Sequence, residues 1–262
     1  MSRFEDLIAE GEAVPTEGWD FSWFNGRATE QRPSWGYAKL LAARMAEAEA
    51  ALDIQTGGGE VLASVPVAPP VLAVTESWPP NVEISRRNLA RFDATVVEVD
   101  DAADLPFPSD HFDLVVSRHP VVTRWDEVRR VLRPSGTYLS QQVGSGSVRE
   151  LTEYLMGNHQ QRASIRPPVG PLTTTAGVSP MAAAAGAEAA GLEVVDLRQE
   201  ALRMEFYDIA AVVHFLRKVI WIVPDFTADA YRDRLAELHA FIERHGPFVA
   251  YSQRFLIEAR KS

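Results

Sequence analysis

Apolar residues along the chain change their spacing several times, and each change marks an element. Residues 36–49, GYAKLLAARMAEAE, place apolar side chains at helical intervals among strong helix formers, which predicts a helix. Beyond them, short apolar runs alternate with polar stretches. Ala51–Ile54, Val71–Thr75, Ala94–Val99, Phe112–Ser117 and Thr137–Val143 read as five buried strands. Between the last two, TRWDEVRRVLRPSG at 123–136 reads as a helix stopped by Pro134 and Gly136. Farther on, 181–191 (MAAAAGAEAAG) predicts a helix ending at Gly191, and 192–198 (LEVVDLR) a sixth strand. Residues 208–223 and 228–245 predict two more helices. The alternation of FVAYSQRFLIEAR at 248–260 predicts a final strand. No internal repeat is present.

Seven apolar strands interleaved with helices predict an α/β fold, a mostly parallel sheet with helices on both faces. Right-handed crossovers bring the carboxyl ends of parallel strands to one edge, where ligands bind in open α/β sheets. Asp53, Glu76, Asp101 and Ser117 should therefore converge, although far apart in sequence.

Composition narrows the function. Hydrophobic residues make up 46% and charged residues 24%, which argues for a globular chain over a disordered one. A formal net charge of -10 with no run of Lys or Arg disfavours nucleic acid and anionic membranes as partners. The absence of cysteine removes disulfides, thiolate catalysis and zinc–thiolate sites. His111, His159, His214, His239 and His245 show no metal-ligand spacing, so no metal is expected. The start, MSRFEDLIAEGEAV, lacks the features of a signal peptide, and no apolar run approaches the ~20 residues of a membrane helix. The expectation is a cytoplasmic protein.

Two segments lie outside the α/β pattern. Residues 1–40 concentrate aromatics at Trp19, Phe21, Trp23, Phe24, Trp35 and Tyr37. They are expected either as a lid or cap, with Trp19, Trp23, Trp35 and Tyr37 against substrate, or as packed core. Prolines and glycines among Ser and Thr predict a loop or helical insert around 157–190 within the remaining domain, 41–262.

Four ordered stretches carry a family resemblance. ALDIQTGGGE at 51–60 puts an acidic residue before spaced glycines at a strand-to-helix turn, and VLAVTE at 71–76 ends a strand in an acid. DAADLPFPSDHFDLVVS at 101–117 and DEVRRVLRPSGTYL at 126–139 follow in order. Together they resemble class I S-adenosylmethionine-dependent methyltransferases, in the small-molecule branch that carries an LPF segment. The resemblance implies a Rossmann-like sheet with its last strand antiparallel, and S-adenosylmethionine as cofactor. It assigns Asp53, Gln55, Thr56, Gly57, Gly58, Gly59, Glu76, Asp101, Ala102 and Ser117 to the cofactor. Glu76 would meet the ribose hydroxyls, Asp101 the adenine amine, Leu105 or Ala102 the ring, and Asp53 the methionine end. Elementary chemistry runs parallel, since glycines at 57–59 allow close backbone approach and amides at a helix start favour an anion.

Two positions depart from the family's pattern. Gln55 stands where its first motif glycine lies, and Ser135 replaces a glycine before the fifth strand. Past the fourth strand comes Ser117-Arg118-His119-Pro120, without the Asp/Asn-Pro-Pro-Tyr/Phe of amide and adenine methylators. His119 is the candidate base and Arg118 a candidate for an acidic substrate. The bland alternatives are a hydrogen-bonded strand-end histidine and a surface pair.

Three functions stay open. One is methyl transfer to O or N of a small molecule, in secondary metabolism. Another keeps the fold but runs a different displacement, such as an intramolecular cyclisation. The last is a subunit of a heteromeric biosynthetic enzyme; a homodimer or a heteromeric partner is compatible with the chain.

Overall fold

A computed structural model describes residues 3–16, 21–157 and 177–262. Its helices are α1 (Arg3–Ala13), α2 (Tyr37–Glu47), α3 (Pro79–Asn88), α4 (Trp125–Val131), α5 (Arg149–Met156), α6 (Pro180–Ala189), α7 (Ile209–Lys218) and α8 (Arg232–His245). Its strands are β1 (Ala28–Glu30), β2 (Ala50–Ile54), β3 (Val71–Glu76), β4 (Thr95–Glu98), β5 (Phe112–Arg118), β6 (Leu132–Val143), β7 (Leu192–Phe206) and β8 (Phe248–Lys261). They form one sheet in the order β1-β7-β8-β6-β5-β2-β3-β4. The pairs β2–β3, β2–β5, β3–β4 and β5–β6 are parallel, and β8 runs antiparallel to β6. The sheet is the Rossmann-like one expected, with eight strands in place of seven. The addition is β1, whose three residues pair antiparallel with Phe206, Glu205 and Met204 of β7.

The described residues divide into two compact units. One comprises residues 33–144, 178–200 and 254–262. Its strands alternate as buried parallel strands do, packing one set of side chains on each face. Ala51, Val74, Leu114, Val116, Leu139 and Leu256 pack with Leu41 and Met45 of α2. Leu52, Ala73, Val115, Phe255 and Ile257 pack with Val128 and Val131 of α4 and with Ala183 and Ala187 of α6. Ser179 caps α6 by accepting from the Ala182 amide, with Pro180 opening the helix. Lys261 anchors the chain end, donating to Asp110 and to the carbonyls of Arg129 and Leu132.

The other unit comprises residues 1–32, 145–177 and 201–253. Its core gathers Ile8, Phe24, Leu151, Leu155, Phe206, Val212, Leu216, Leu235 and Leu238. Gly11 of α1 lets that helix meet the Ala210 backbone of α7: a Cβ there would lie 2.6 Å from the Ala210 oxygen. The chain passes from one unit to the other between residues 32 and 33.

Two elements differ from expectation for reasons of proline chemistry. The helix expected over 123–136 ends at Val131, because Pro134 disfavours helical backbone in the residue before it and removes a donor. Residues 132–136 join β6 instead, through a register shift between Phe112 and Leu114, with Ser135 at φ 65°. After β2 the glycine turn leads only into a single 3-10 turn, Leu62–Ser64, where the motif implies an α-helix. Pro66, Pro69 and Pro70 follow at once and cannot continue one. Of the insert expected at 157–190, residues 158–176 lie outside the described residues. No described helix is long and apolar enough to cross a membrane.

Candidate active site

Parallel pairing aligns the carboxyl ends of β2, β3, β4 and β5, setting Ile54 beside Ser117 and Glu76 beside Glu98. Around them lies a hollow whose lining includes Ile54, Gln55, Thr75, Val99, Asp101, Leu105, Ser117, Val122, Thr123, Arg124 and Tyr138. Its volume is about 20 Å³, room for a water-sized body. Ligand pockets ordinarily run to about 300–1,000 Å³.

Gln55 lines the hollow. Its backbone occupies the left-handed region at φ 58°, the conformation that a glycine at this position adopts without strain. The side chain then crosses to the loop after β5. Gln55 Nε2 donates to the Val122 carbonyl at 2.8 Å, and Gln55 Oε1 accepts from the Val121 amide at 2.5 Å. One amide thus latches the turn of β2 to a loop 66 residues away.

The turn itself is held from below. Glu76, buried at the end of β3, accepts from the Gly57 amide at 2.8 Å and from the Trp78 amide at 3.0 Å. An anion therefore does meet the turn amides, and it is the protein's own. Gly57 and Gly59 sit at φ 64° and 73°. Asn88 Nδ2 donates to the Gly58 carbonyl at 2.8 Å. Asp53 lies beneath, accepting from Thr56 Oγ1 at 2.7 Å. Burial, reinforced by the nearby Glu76 carboxylate, pushes the Asp53 carboxyl up to about 7 against the opposing Thr56 hydrogen bond. Asp101 is half-buried and is likewise raised, mainly by burial, while Asp100 caps its own turn by accepting from the Ala102 amide.

Of the residues assigned from sequence, Gln55, Asp101 and Ser117 line the hollow; Asp53, Thr56, Gly57, Gly58, Gly59 and Glu76 form the turn beside it. Ala102 is exposed, and its neighbour Ala103 lines the wall instead. Ser117 Oγ lies 2.7 Å from the Tyr138 hydroxyl and 3.0 Å from Ser140 Oγ, a buried hydroxyl cluster. Thr75, Val99, Thr123, Arg124 and Tyr138 were not anticipated. Thr75 and Val99 lie at strand ends, Thr123 and Arg124 in the loop leading to α4, and Tyr138 within β6; none carries a sequence signal beyond position.

The aromatics separate. Trp35 and Tyr37 are buried in the core around α2. Tyr37 donates to the Ser117 carbonyl at 3.1 Å; burial above all, and then Asp53, pushes its phenol well up, so it stays a donor. Trp23 belongs to the other unit and packs edge-on against Phe24 and His214. Trp19 lies outside the described residues.

His119 follows β5 in the left-handed region at φ 56°, a costly place for a non-glycine residue. Its amide donates to the Gln141 carbonyl at 2.7 Å, and its Nε2 lies 3.1 Å from Gln141 Nε2. Gln141 Oε1 accepts from Trp35 Nε1 at 2.9 Å. Burial, followed by the charges of Arg118 and Arg254, holds the imidazole well below its usual range. No described group of three or more His, Asp or Glu residues is placed to hold a metal.

Comparison with known proteins bears on this geometry. A family model for the methyltransferase domain matches residues 52–140. The match covers about a third of the chain. The matched stretch runs from β2 to β6 and contains the glycine turn, Glu76, Asp101 and the loop after β5. A candidate methyltransferase from Bacillus halodurans C-125 is similar in fold, with 16% identity, 86% of this chain and 98% of that chain covered, and a TM-score of 0.56. The YcgJ protein of Bacillus subtilis matches with 19% identity, 84% and 97% coverage and a TM-score of 0.56. The [4+2]-cyclase SpnF matches with 17% identity, 98% and 91% coverage and a TM-score of 0.51. These likenesses show the class I methyltransferase fold. A search of curated proteins finds no sequence match to the chain.

The chemistry of the methyltransferase edge can be weighed against S-adenosylmethionine. Apolar Ile54, Val99 and Leu105, with Asp101 at the rim, suit a purine and its amine. Asp53 and Glu76 add two acids at the glycine turn beside this wall, Glu76 with both oxygens engaged by the Gly57 and Trp78 amides. The residues fit the cofactor in kind, and Gln55 is a lining residue whose side chain is tied to the loop after β5.

Proposed function

We propose that the chain transfers a methyl group from S-adenosylmethionine to an oxygen or nitrogen of a small molecule, as a cytoplasmic biosynthetic enzyme. The observation that carries this reading is the convergence of four strand ends, all within residues 52–140, on one edge with nucleoside-compatible chemistry.

When bound, the cofactor supplies a methyl carbon on a sulfonium, open to in-line attack. The chain's own residues do the remainder. Asp101 and the apolar wall at Val99 and Leu105 orient the nucleoside. Asp53, raised by burial, gives up its proton as a cation arrives and then neutralises that cation. Glu76 holds the Gly57 amide and so fixes the turn that the ligand rests on. Tyr37, a donor to the Ser117 carbonyl, steadies the end of β5 from which the acceptor loop departs. Orientation and closeness supply most of the acceleration for such a displacement.

Titration calorimetry of the full chain with S-adenosylmethionine and S-adenosylhomocysteine tests the proposal. Saturable binding of both is expected, and no heat from a well-folded sample overturns it. A second reading has its own support in the Gln55 latch and the small hollow: the fold persists and the reaction has changed, as an intramolecular cyclisation. SpnF, a cyclase of similar fold, is a precedent for such a change on this scaffold. Absent cofactor binding in the wild type, restored in a Gln55→Gly variant, would select it.

A further inference from the structure

Trp35, Gln141 and His119 form a chain of three side chains on one face of β6, and its ends fix its direction. An indole N–H can only donate, so the Gln141 oxygen must face Trp35. The amide nitrogen then faces His119, and a carboxamide N–H2 can only donate in turn. The His119 Nε2 lone pair is thereby engaged as an acceptor, and the ring proton of the neutral imidazole lies on Nδ1. No partner of Nδ1 is present among the described residues. The backbone at His119 is strained and is held by the 2.7 Å bond of its amide to the Gln141 carbonyl, which indicates a ring orientation maintained at a cost.

We propose that His119 is an Nδ1–H donor that binds an anionic oxygen of the acceptor, a carboxylate or phenolate, with Gln141 and Trp35 as its positioning residues. The assignment of the ligand to an acceptor substrate rests on the methyl-transfer reading; the tautomer does not. The charged groups felt at His119 are Arg118, next in sequence, and Arg254 of β8, paired with Val143 of β6; both oppose a proton on the ring and favour an anion beside it. This replaces the general-base role that sequence suggested: the lone pair a base would use is already taken.

Long-range proton–nitrogen correlation spectra of the full, imidazole-labelled chain read the tautomer directly. His119 should show a protonated Nδ1 and a bare Nε2 from about pH 8 down to about pH 5.5, with no titration near the ordinary value of about 6.5. Benzoate should shift the Nδ1–H resonance, while benzamide leaves it in place. In Gln141→Glu the new carboxylate accepts from the ring, so the proton should move to Nε2, a titration should appear, and the benzoate response should vanish. Trp35→Phe frees the amide to turn and should give a mixture of tautomers, which covers the case of an unfolded glutamate variant. A protonated Nε2 in the wild type, ordinary titration, or equal responses to benzoate and benzamide would overturn the proposal. Failure of calorimetry with S-adenosylmethionine beside an intact Nδ1–H pattern would reject methyl transfer and leave the anion donor standing.

Discussion

Replacing Gln55 by glycine removes an amide that makes two hydrogen bonds, at 2.8 and 2.5 Å, to the backbone of Val122 and Val121. Each neutral hydrogen bond contributes about 0.5–1.5 kcal/mol net, so the latch holds the hollow closed by about 1–3 kcal/mol. A ligand that binds only the open form loses that much, which corresponds to about 5–150-fold in apparent affinity. Gln55→Gly should therefore bind S-adenosylhomocysteine about 5–150-fold more tightly than the wild type. Its folding stability should change little, because relief of the strained φ of 58° offsets part of the lost bonds. Gln55→Asn separates latch from bulk: asparagine tolerates left-handed backbone and keeps an amide, but is one methylene too short to reach the loop. It too should bind more tightly than the wild type. Calorimetry gives the affinities, and a thermal shift gives an independent check, since ligand at 100 times its Kd adds about 2.7 kcal/mol. Equal affinities for all three proteins, where binding is measurable, would refute the latch.

Other outcomes follow from single contacts. Asp53 titrates at about 7 in the folded chain against 3.8 as its reference, so the native state holds a proton that the unfolded state has lost. Its stability contribution is complete below the reference value of 3.8 and is lost as pH rises to about 7, by at most about 4 kcal/mol; Asp53→Asn should flatten this fall, and urea unfolding at pH 5.5 and pH 8 reads its upper half, about 2 kcal/mol. Binding of a cation beside Asp53 should strengthen as pH rises through the same range, with proton release seen as buffer-dependent heat. Gly11→Ala puts a methyl 2.6 Å from a backbone oxygen of α7 and should destabilise by about 1–3 kcal/mol despite its better helix propensity; an increase in the denaturation midpoint would contradict this. Lys261→Met abandons one carboxylate and two carbonyls and should cost about 2–3 kcal/mol by the same assay.

Much of the fold could be read in advance because parallel strands buried on both faces leave dense apolar runs. VLAVTE and FDLVVS became β3 and β5 within a residue or so. The turn at Gly57–Gly59 and its neighbours Asp53 and Glu76 were legible for the same reason, being local in sequence. The early end of α4 was written in Pro134, and the missing helix after β2 in Pro66, Pro69 and Pro70; there proline chemistry outweighs a family pattern. β7 runs on to Phe206, where buried Leu202, Met204 and Phe206 alternate with Arg203 and Glu205; that strand pattern is present in LRMEF but follows the polar stretch RQE, at which the sixth strand was expected to have ended. Gln55 announced itself as a misfit, yet its partners are main-chain atoms of Val121 and Val122, which carry no residue signature. Nor could any spacing show that Trp35, 106 residues from Gln141, sets the polarity of an amide that then sets the proton of His119.

β6 owes its second neighbour to a segment far along the chain: Thr137–Val143 pairs with Arg254–Arg260. Until β8 is seated, that side of β6 is an uncapped border. An uncapped border of this kind recruits other strands, including those of sister chains. Loosening the β8 pairing should therefore send the protein to aggregates rather than leave a folded chain of lower stability.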